Sequence, residues 1–262
     1  MTSMHAHTGR NMNGLNSKVA LITGAGQGVG QGIAYALAAE GVKIAVVGRT
    51  LSKLEDTCAE IRRRGGQAEA FLCDVMVKQD IDRCVEQVAK HFGSLNILIN
   101  NAQVVPLGRL LEVSDEAFTE GIDYGPLATL RMMRACYPYL KGDGAIVNFA
   151  SSAAMRWDAS GYGPYAAVKE AIRALTRAAA CEWGTDNIRV NTVAPHAMSP
   201  GMEGWIAAQP AEAAAFFKTI PLGRVGDCER DIGRAIVFLV GSDAGYLTGA
   251  TIPLDGGQAY WG

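Results

Sequence analysis

Apolar residues fall along this chain in short unbroken runs, separated by longer stretches in which they recur every three or four positions. The runs at 18–22, 43–47, 68–73, 95–99, 145–149 and 188–193 predict strands, and 251–254 predicts a short last one. The stretches at 33–39, 51–64, 81–92, 165–183 and 230–240 predict helices, with a shorter one at 211–217. A long helix is predicted from Ser114 to Tyr139. Ser114 caps it, Asp115 and Glu116 favour its N-terminal dipole, and Gly125-Pro126 breaks it. Most strands are apolar throughout rather than alternately, so both sheet faces must be covered. Strands that alternate with helices give an α/β fold, a doubly wound parallel sheet of about seven strands. No linker, repeat or low-complexity block divides it, so one domain is expected over 17–262.

Composition adds limits. The 262 residues are 49% hydrophobic and carry a net charge of −2 without long runs of either sign. That balance gives no reason to expect nucleic acid or an anionic membrane as a partner. No apolar run approaches the roughly 20 residues of a membrane span. Residues 1–16 are polar, lack the apolar core of a signal peptide, and read as a flexible extension, so His5 and His7 are expected in a loose tail rather than at a metal. Six cysteines occur without C-x-x-C spacing, which predicts no metal site and suits a reducing cytoplasm. Cys73 and Cys136 stand in apolar stretches and are expected in the core.

The candidate chemistry lies between these elements. Thr23-Gly24-Ala25-Gly26-Gln27-Gly28-Val29-Gly30 joins the first strand to the first helix. Glycines let a backbone pass close to a pyrophosphate, and the helix N-terminus offers N–H groups and a positive dipole end to its charge. In doubly wound sheets ligands bind at the carboxyl ends of strands. The glycine turn, Arg49, Asp74, Asn101, Ser151 and Pro195 all fall there. Tyr165 and Lys169 are spaced to share one helix face. A nearby lysine cation stabilises a phenolate, lowering the tyrosine pKa into a range useful for proton transfer.

Taken together, T-G-x-x-x-G-x-G at 23–30, D-V at 74–75, N-N-A at 100–102, a serine before Y-x-x-x-K, and D-G-G at 255–257 resemble the short-chain dehydrogenase/reductase superfamily over about residues 17–258. The resemblance implies a Rossmann fold and a nicotinamide cofactor. It implies that Tyr165 is the general acid in ketone reduction and the base in alcohol oxidation. Lys169 would tune Tyr165 and hold the nicotinamide ribose, and Ser151 or Ser152 would orient the substrate carbonyl. Strand register from Asn148 favours Ser151, whereas the family's frequent spacing to the tyrosine favours Ser152; the loop 153–164 can absorb one residue, so the register is preferred. The implied cofactor residues are Gly24, Gln27, Gly28, Val29, Gly30, Arg49, Asp74 by the adenine, Val75, Asn101, Ala102, Tyr165, Lys169, Pro195 and Ser199. Relatives that use NAD tend to carry an acid at the end of the second strand. Here Gly48-Arg49-Thr50 carries none, and Arg49 can pair with a 2′-phosphate. NADP(H) is therefore favoured, with NAD(H) the alternative, although Gln27 stands where many relatives that use NADP place a further base.

Three positions depart from the family's pattern. Gln103 replaces a glycine after N-N-A, Gly125 stands where a relay asparagine is usual, and His196 follows Pro195 in place of glycine. Pro126 cannot donate to the Ile122 carbonyl, which leaves that oxygen to hold a relay water, together with Gln103. Gln103, His196, Met202 and Trp205 are candidate substrate contacts. With Met155, Trp157, Met198, Phe216 and Phe217 they outline an apolar pocket for a bulky apolar or aromatic ketone or alcohol. The missing asparagine keeps two alternatives open, a lyase or epimerase that retains its cofactor and a weakly catalytic nucleotide-binding relative. The helices at 114–140 and 163–183 resemble those that pair between subunits in the family, which implies a homotetramer or homodimer. The tail 259–262 is apolar enough to dock on a neighbour.

Overall fold

A computed structural model of the chain describes residues 14–155, 159 and 161–260. The expected extension 1–16 lies mostly outside these residues, as do Trp157 and the end of the tail. Leu15 is described and fully buried, so the packed unit reaches at least two residues further back than expected.

Each predicted strand forms: β1 (Val19–Thr23), β2 (Lys43–Gly48), β3 (Gln67–Leu72), β4 (Ile97–Asn100), β5 (Gly144–Phe149), β6 (Ile188–Pro195) and β7 (Thr251–Leu254). They build one parallel sheet in the order β3-β2-β1-β4-β5-β6-β7. The order reverses between β1 and β4, which is where an open α/β sheet leaves its ligand crevice.

The helices are α1 (Gly28–Ala39), α2 (Leu51–Arg63), α3 (Lys78–Phe92), α4 (Asp115–Ile122), α5 (Ala128–Leu140), α6 (Gly163–Trp183), α7 (Pro200–Ala208), α8 (Pro210–Phe217) and α9 (Arg234–Val240). Alternate strand residues divide between two cores. Ala20, Ile22, Ile44, Val46, Ile97 and Ile99 pack with Ile33 and Leu37 of α1, Leu54 and Ile61 of α2, and Ile236 and Val240 of α9. Val19, Leu21, Ala45, Val47, Leu98 and Ile146 pack with Ile81 and Val85 of α3, Met132 and Cys136 of α5, and Ala179 of α6. Two covered faces are why these strands are apolar along most of their length. Cys73 and Cys136 are buried in the second core, as expected.

Two elements differ from expectation. The long helix does not break at Gly125-Pro126. Ser114 caps it, its Oγ accepting from Ala117 N at 3.1 Å. It then widens into a π turn over Asp123–Leu127, where Ala128 N donates to Asp123 O, and continues as α5. The wider frame accommodates the hydrogen bond that Pro126 cannot make. The region before Pro221 holds two helices, α7 and α8, where one was expected; Ser199 caps α7, its Oγ accepting from Met202 N at 3.3 Å.

Candidate active site

The β1–α1 turn is shaped by backbone geometry. Gly24 and Gly28 adopt φ of +67° and +59°, a region that side chains disfavour. A Cβ on Gly28 would stand 3.2 Å from Pro200 Cδ. A Cβ on Gly30 would meet Asn101 Nδ2 and Gly24 O, both at 2.6 Å. Gly30 therefore serves the packing of the turn. Asn101 clasps the turn: its Nδ2 donates to Thr23 O at 2.9 Å and Gly24 O at 3.3 Å. Thr23 Oγ1 accepts from Asn101 N and Ala102 N, both at 3.0 Å. Helix α1 has neither a capping side chain nor an acid in its first turn, so its N-terminal N–H groups face a cleft that favours an anion.

That cleft is a cavity of about 410 Å³ lined by Gly24, Gln27, Gly28, Val29, Arg49, Val75, Asn101 and Ala102. Lys53, Thr50, Cys73 and Tyr124 also line it and were not foreseen. Arg49 donates to the Tyr124 hydroxyl, with its guanidinium 5.2 Å from the ring centroid. Lys53 Nζ donates to Gln27 Oε1 at 2.6 Å. Asp74 does not line the cleft. Its Oδ1 accepts from Met76 N at 3.0 Å and closes the turn after β3. The glycine cradle, the uncapped helix and two cations over the far end fit a dinucleotide.

A second cavity of about 420 Å³ adjoins the first, and Val29, Asn101, Gln103, Ser199 and Gly201 line both. Tyr165, Ser151, Ser152, Pro195, His196, Met202, Trp205 and Phe216 line it, with Tyr162, Val105 and Glu212 in addition. Trp205 and His196 pack against Phe216, with ring centroids 5.6 Å and 5.4 Å apart. Met198, Phe217 and Met155 do not line this cavity. The Met155 sulfur instead lies 3.0 Å from Arg173 Nη1.

The two serines point to different partners. Ser151 Oγ accepts from Ala153 N at 3.2 Å and stands near enough to the Tyr165 phenol to pull its pKa down. Ser152 is fully buried and its Oγ pairs with His196 Nε2. The geometry therefore brings Ser151, not Ser152, to the tyrosine. Tyr165 OH also donates to Gln103 Oε1 at 3.1 Å. Lys169 is buried, its Nζ donating to Phe149 O at 2.8 Å and lying 5.4 Å from the Tyr165 ring centroid. Burial holds the Lys169 ammonium down at about 7. Burial also pushes the Tyr165 phenol well up, with Ser151 and Gln103 pulling it back only in part. The expected lowering of Tyr165 by Lys169 is thus not a property of the chain without its ligand. Both groups are desolvated, and a lysine that readily gives up its proton is a weak counter-charge.

Gly125 packs against α6. A Cβ there would stand 2.5 Å from Val168 Cγ1. Ile122 lines neither cavity. Beneath the site runs a buried polar ladder. Asn100 Nδ2 donates to Asn148 Oδ1 at 2.8 Å, and Asn148 Nδ2 to Thr176 Oγ1 at 2.9 Å. Thr192 Oγ1 donates to Thr176 Oγ1 at 2.8 Å, and Thr176 donates to Ile172 O at 2.9 Å.

A doubly wound sheet with a dinucleotide cleft and a tyrosine–lysine helix defines a class of nicotinamide-dependent oxidoreductases. Comparison with known proteins places the chain within it. A family model described as enoyl-(acyl carrier protein) reductase matches residues 24–259. The chain is 40% identical over 252 residues to a 12α-hydroxysteroid dehydrogenase of a Clostridium species, covering 93% of this chain and 97% of that one. It is 36% identical over 250 residues to the short-chain reductase protein NovJ of Streptomyces niveus, covering 92% and 93%. A short-chain dehydrogenase from Burkholderia cenocepacia, solved in complex with NADP, superposes with a TM-score of 0.87 at 29% identity over 94% of this chain and 99% of that one. The chain belongs to the short-chain dehydrogenase/reductase superfamily and is an oxidoreductase of that family. No described helix is long and apolar enough to cross a membrane.

Proposed function

We propose that this chain interconverts a ketone and a secondary alcohol of a bulky, largely apolar substrate, with NADP(H) as the preferred cofactor. The observation that carries the reading is the position of the Tyr165 hydroxyl. It lines the apolar cavity beside Ser151, held by Gln103, where that cavity joins the glycine-cradled cleft.

The cofactor, when bound, supplies or accepts the hydride. Gly24, Gly28 and the N–H groups of α1 would hold its pyrophosphate, and Arg49 with Lys53 would bind a 2′-phosphate. In reduction Tyr165 gives its proton to the substrate carbonyl oxygen, and Ser151 donates a hydrogen bond to that same oxygen. In oxidation the phenolate takes the alcohol proton. Lys169 acts through Tyr165, because a cation at that distance favours the phenolate once the lysine is protonated. Trp205, Phe216 and Met202 exclude water and hold the apolar body of the substrate. The 12α-hydroxysteroid dehydrogenase relative supports a fused-ring alcohol as the first compound class to try. Assembly into a homodimer or homotetramer in the cytoplasm belongs to the same proposal. Phe118 of α4 and Tyr139 of α5, exposed at 37% and 44%, are apolar surface that such pairing would cover.

The test is the absorbance of reduced nicotinamide with a panel of ring ketones and alcohols, on wild type and Y165F. We expect turnover in wild type, a preference for NADPH, and a loss of about 10²- to 10⁴-fold in Y165F with cofactor affinity retained. Tight cofactor binding without any substrate-dependent change would overturn the redox reading. Product formed without net change in absorbance would mark a lyase or epimerase instead.

A further inference from the structure

Gln103 stands where β4 hands over to the loop that borders both cavities. The residue is exposed, yet its side chain reaches a tyrosine that is itself buried. The Tyr165 hydroxyl donates to Gln103 Oε1 at 3.1 Å, and Ser151, just past the end of β5, lines the same cavity beside it. Lys169 Nζ is turned instead to Phe149 O. The remaining groups facing the tyrosine are Tyr162, with its ring centroid at 6.3 Å, and His196 and Glu212 across the cavity. None of these carries the phenolic hydroxyl.

An amide differs from a hydroxyl or a backbone carbonyl in offering an acceptor and a donor on one planar group. The Gln103 carbonyl accepts from the phenol as it stands. Rotation of the amide about its last side-chain bond would present the NH₂ to a phenolate. We propose that Gln103 is a positioning residue for Tyr165, holding the phenolic oxygen at the cavity junction in both protonation states. This rests on the reading of Tyr165 as the proton donor and acceptor. Loss of the amide would strand the hydroxyl with Ser151 alone and would take a donor from the phenolate. An acid in its place would set a negative charge against the phenolate.

The experiment compares wild type, Q103L, Q103E and Q103N. Gln103 is exposed, so these variants are expected to keep the wild-type melting temperature. In alcohol oxidation, kcat for Q103L should fall about tenfold with KM changed less than about threefold. The acidic limb of its kcat/KM profile should move up by about one on the pH scale, and that of Q103E further. Q103N should recover part of the loss. A second readout needs no turnover. In the ligand-free protein the ¹³Cζ resonance of Tyr165, identified by its absence in Y165F, should shift at neutral pH in Q103L and Q103E. Unmoved limbs and an unmoved resonance in both variants would overturn the proposal. So would an effect confined to KM, which would make Gln103 a substrate contact only. Failure of wild type to turn over any substrate would instead strike the reductase reading, while the resonance still reports on the Gln103 contact.

Discussion

Replacing Gly125 by alanine probes how the catalytic helix α6 is seated. An added Cβ would stand 2.5 Å from Val168 Cγ1. That is about 1 Å inside the separation of roughly 3.5–4.0 Å at which two carbons attract best. Val168 has one strongly preferred rotamer in a helix, so it cannot swing aside without strain of about 1 kcal/mol. The alternative is for α6 to move away from the π turn, and overpacking of this kind costs about 1–3 kcal/mol. At about 2–4 °C per kcal/mol for a domain of this size, G125A should lower the thermal midpoint by roughly 2–12 °C. Because Val168 neighbours Lys169, displacement should also reach the Tyr165–Lys169 pair and reduce turnover. G125N, with a larger side chain, should do both more severely and restore nothing. The assay is thermal unfolding followed by circular dichroism, with turnover measured alongside. The pair G125A/V168A closes a double-mutant cycle. Shortening Val168 opens the space, so the double variant should be more stable than the sum of the singles by about 1 kcal/mol or more. A midpoint for G125A within about 1 °C of wild type, strict additivity in the cycle, or a rise in turnover for G125N would refute this account of the packing.

Three further outcomes are expected. Unfolded lysine holds its proton up to about 10.4, whereas Lys169 folded holds it only below about 7. Between those values the unfolded state carries more protons, so stability of the ligand-free protein rises with pH, by several kcal/mol at most. Melting from pH 7 to about 9.5 should show a rise in wild type that K169M lacks, and parallel curves would contradict it. R49A should weaken NADPH about 10- to 100-fold in a fluorescence titration and leave NADH within about threefold, because only NADPH offers the charge-assisted hydrogen bond; equal losses would assign Arg49 to the adenine or to Tyr124 alone. S151A should lower kcat/KM about 10- to 100-fold at unchanged melting temperature, while S152A should cost about 1–3 kcal/mol of stability by removing a buried partner of His196; the reverse pattern would exchange the serines' roles.

The sheet was legible because both its faces are covered and most strands are therefore apolar along most of their length. The glycine turn, Arg49, Tyr165 and Lys169 were legible because each belongs to a local spacing. Residues recruited across the fold were not. Tyr124 reaches Arg49 from a π turn 75 residues away, and nothing near Arg49 announces it. Lys53 was discoverable, standing one helical turn beyond Arg49. Gly30 also serves packing and Asp74 also closes a turn, roles that spacing alone does not announce. The choice between Ser151 and Ser152 depended on which way two adjacent side chains point, and Ser152 is the one that His196 engages. Breaking the long helix at Pro126 was a sound use of proline's missing donor. It overlooked that a wider turn can absorb the gap while α4 and α5 stay nearly continuous.

The buried ladder from Asn100 to Thr192 bears on how this sequence can drift. Thr176 Oγ1 accepts from Asn148 and Thr192 and donates to Ile172 O, so every hydrogen-bonding position of that hydroxyl is in use. Changing Thr176 to valine would strand two donors at once, at about 1–3 kcal/mol each. Changing Asn148 would strand Asn100 on one side and weaken Thr176 on the other. The four side chains come from β4, β5, α6 and β6 and lie far apart in the chain. Descendants of this protein should therefore alter them in concert or leave them alone, so their constraint should emerge in an alignment as covariation among four distant columns.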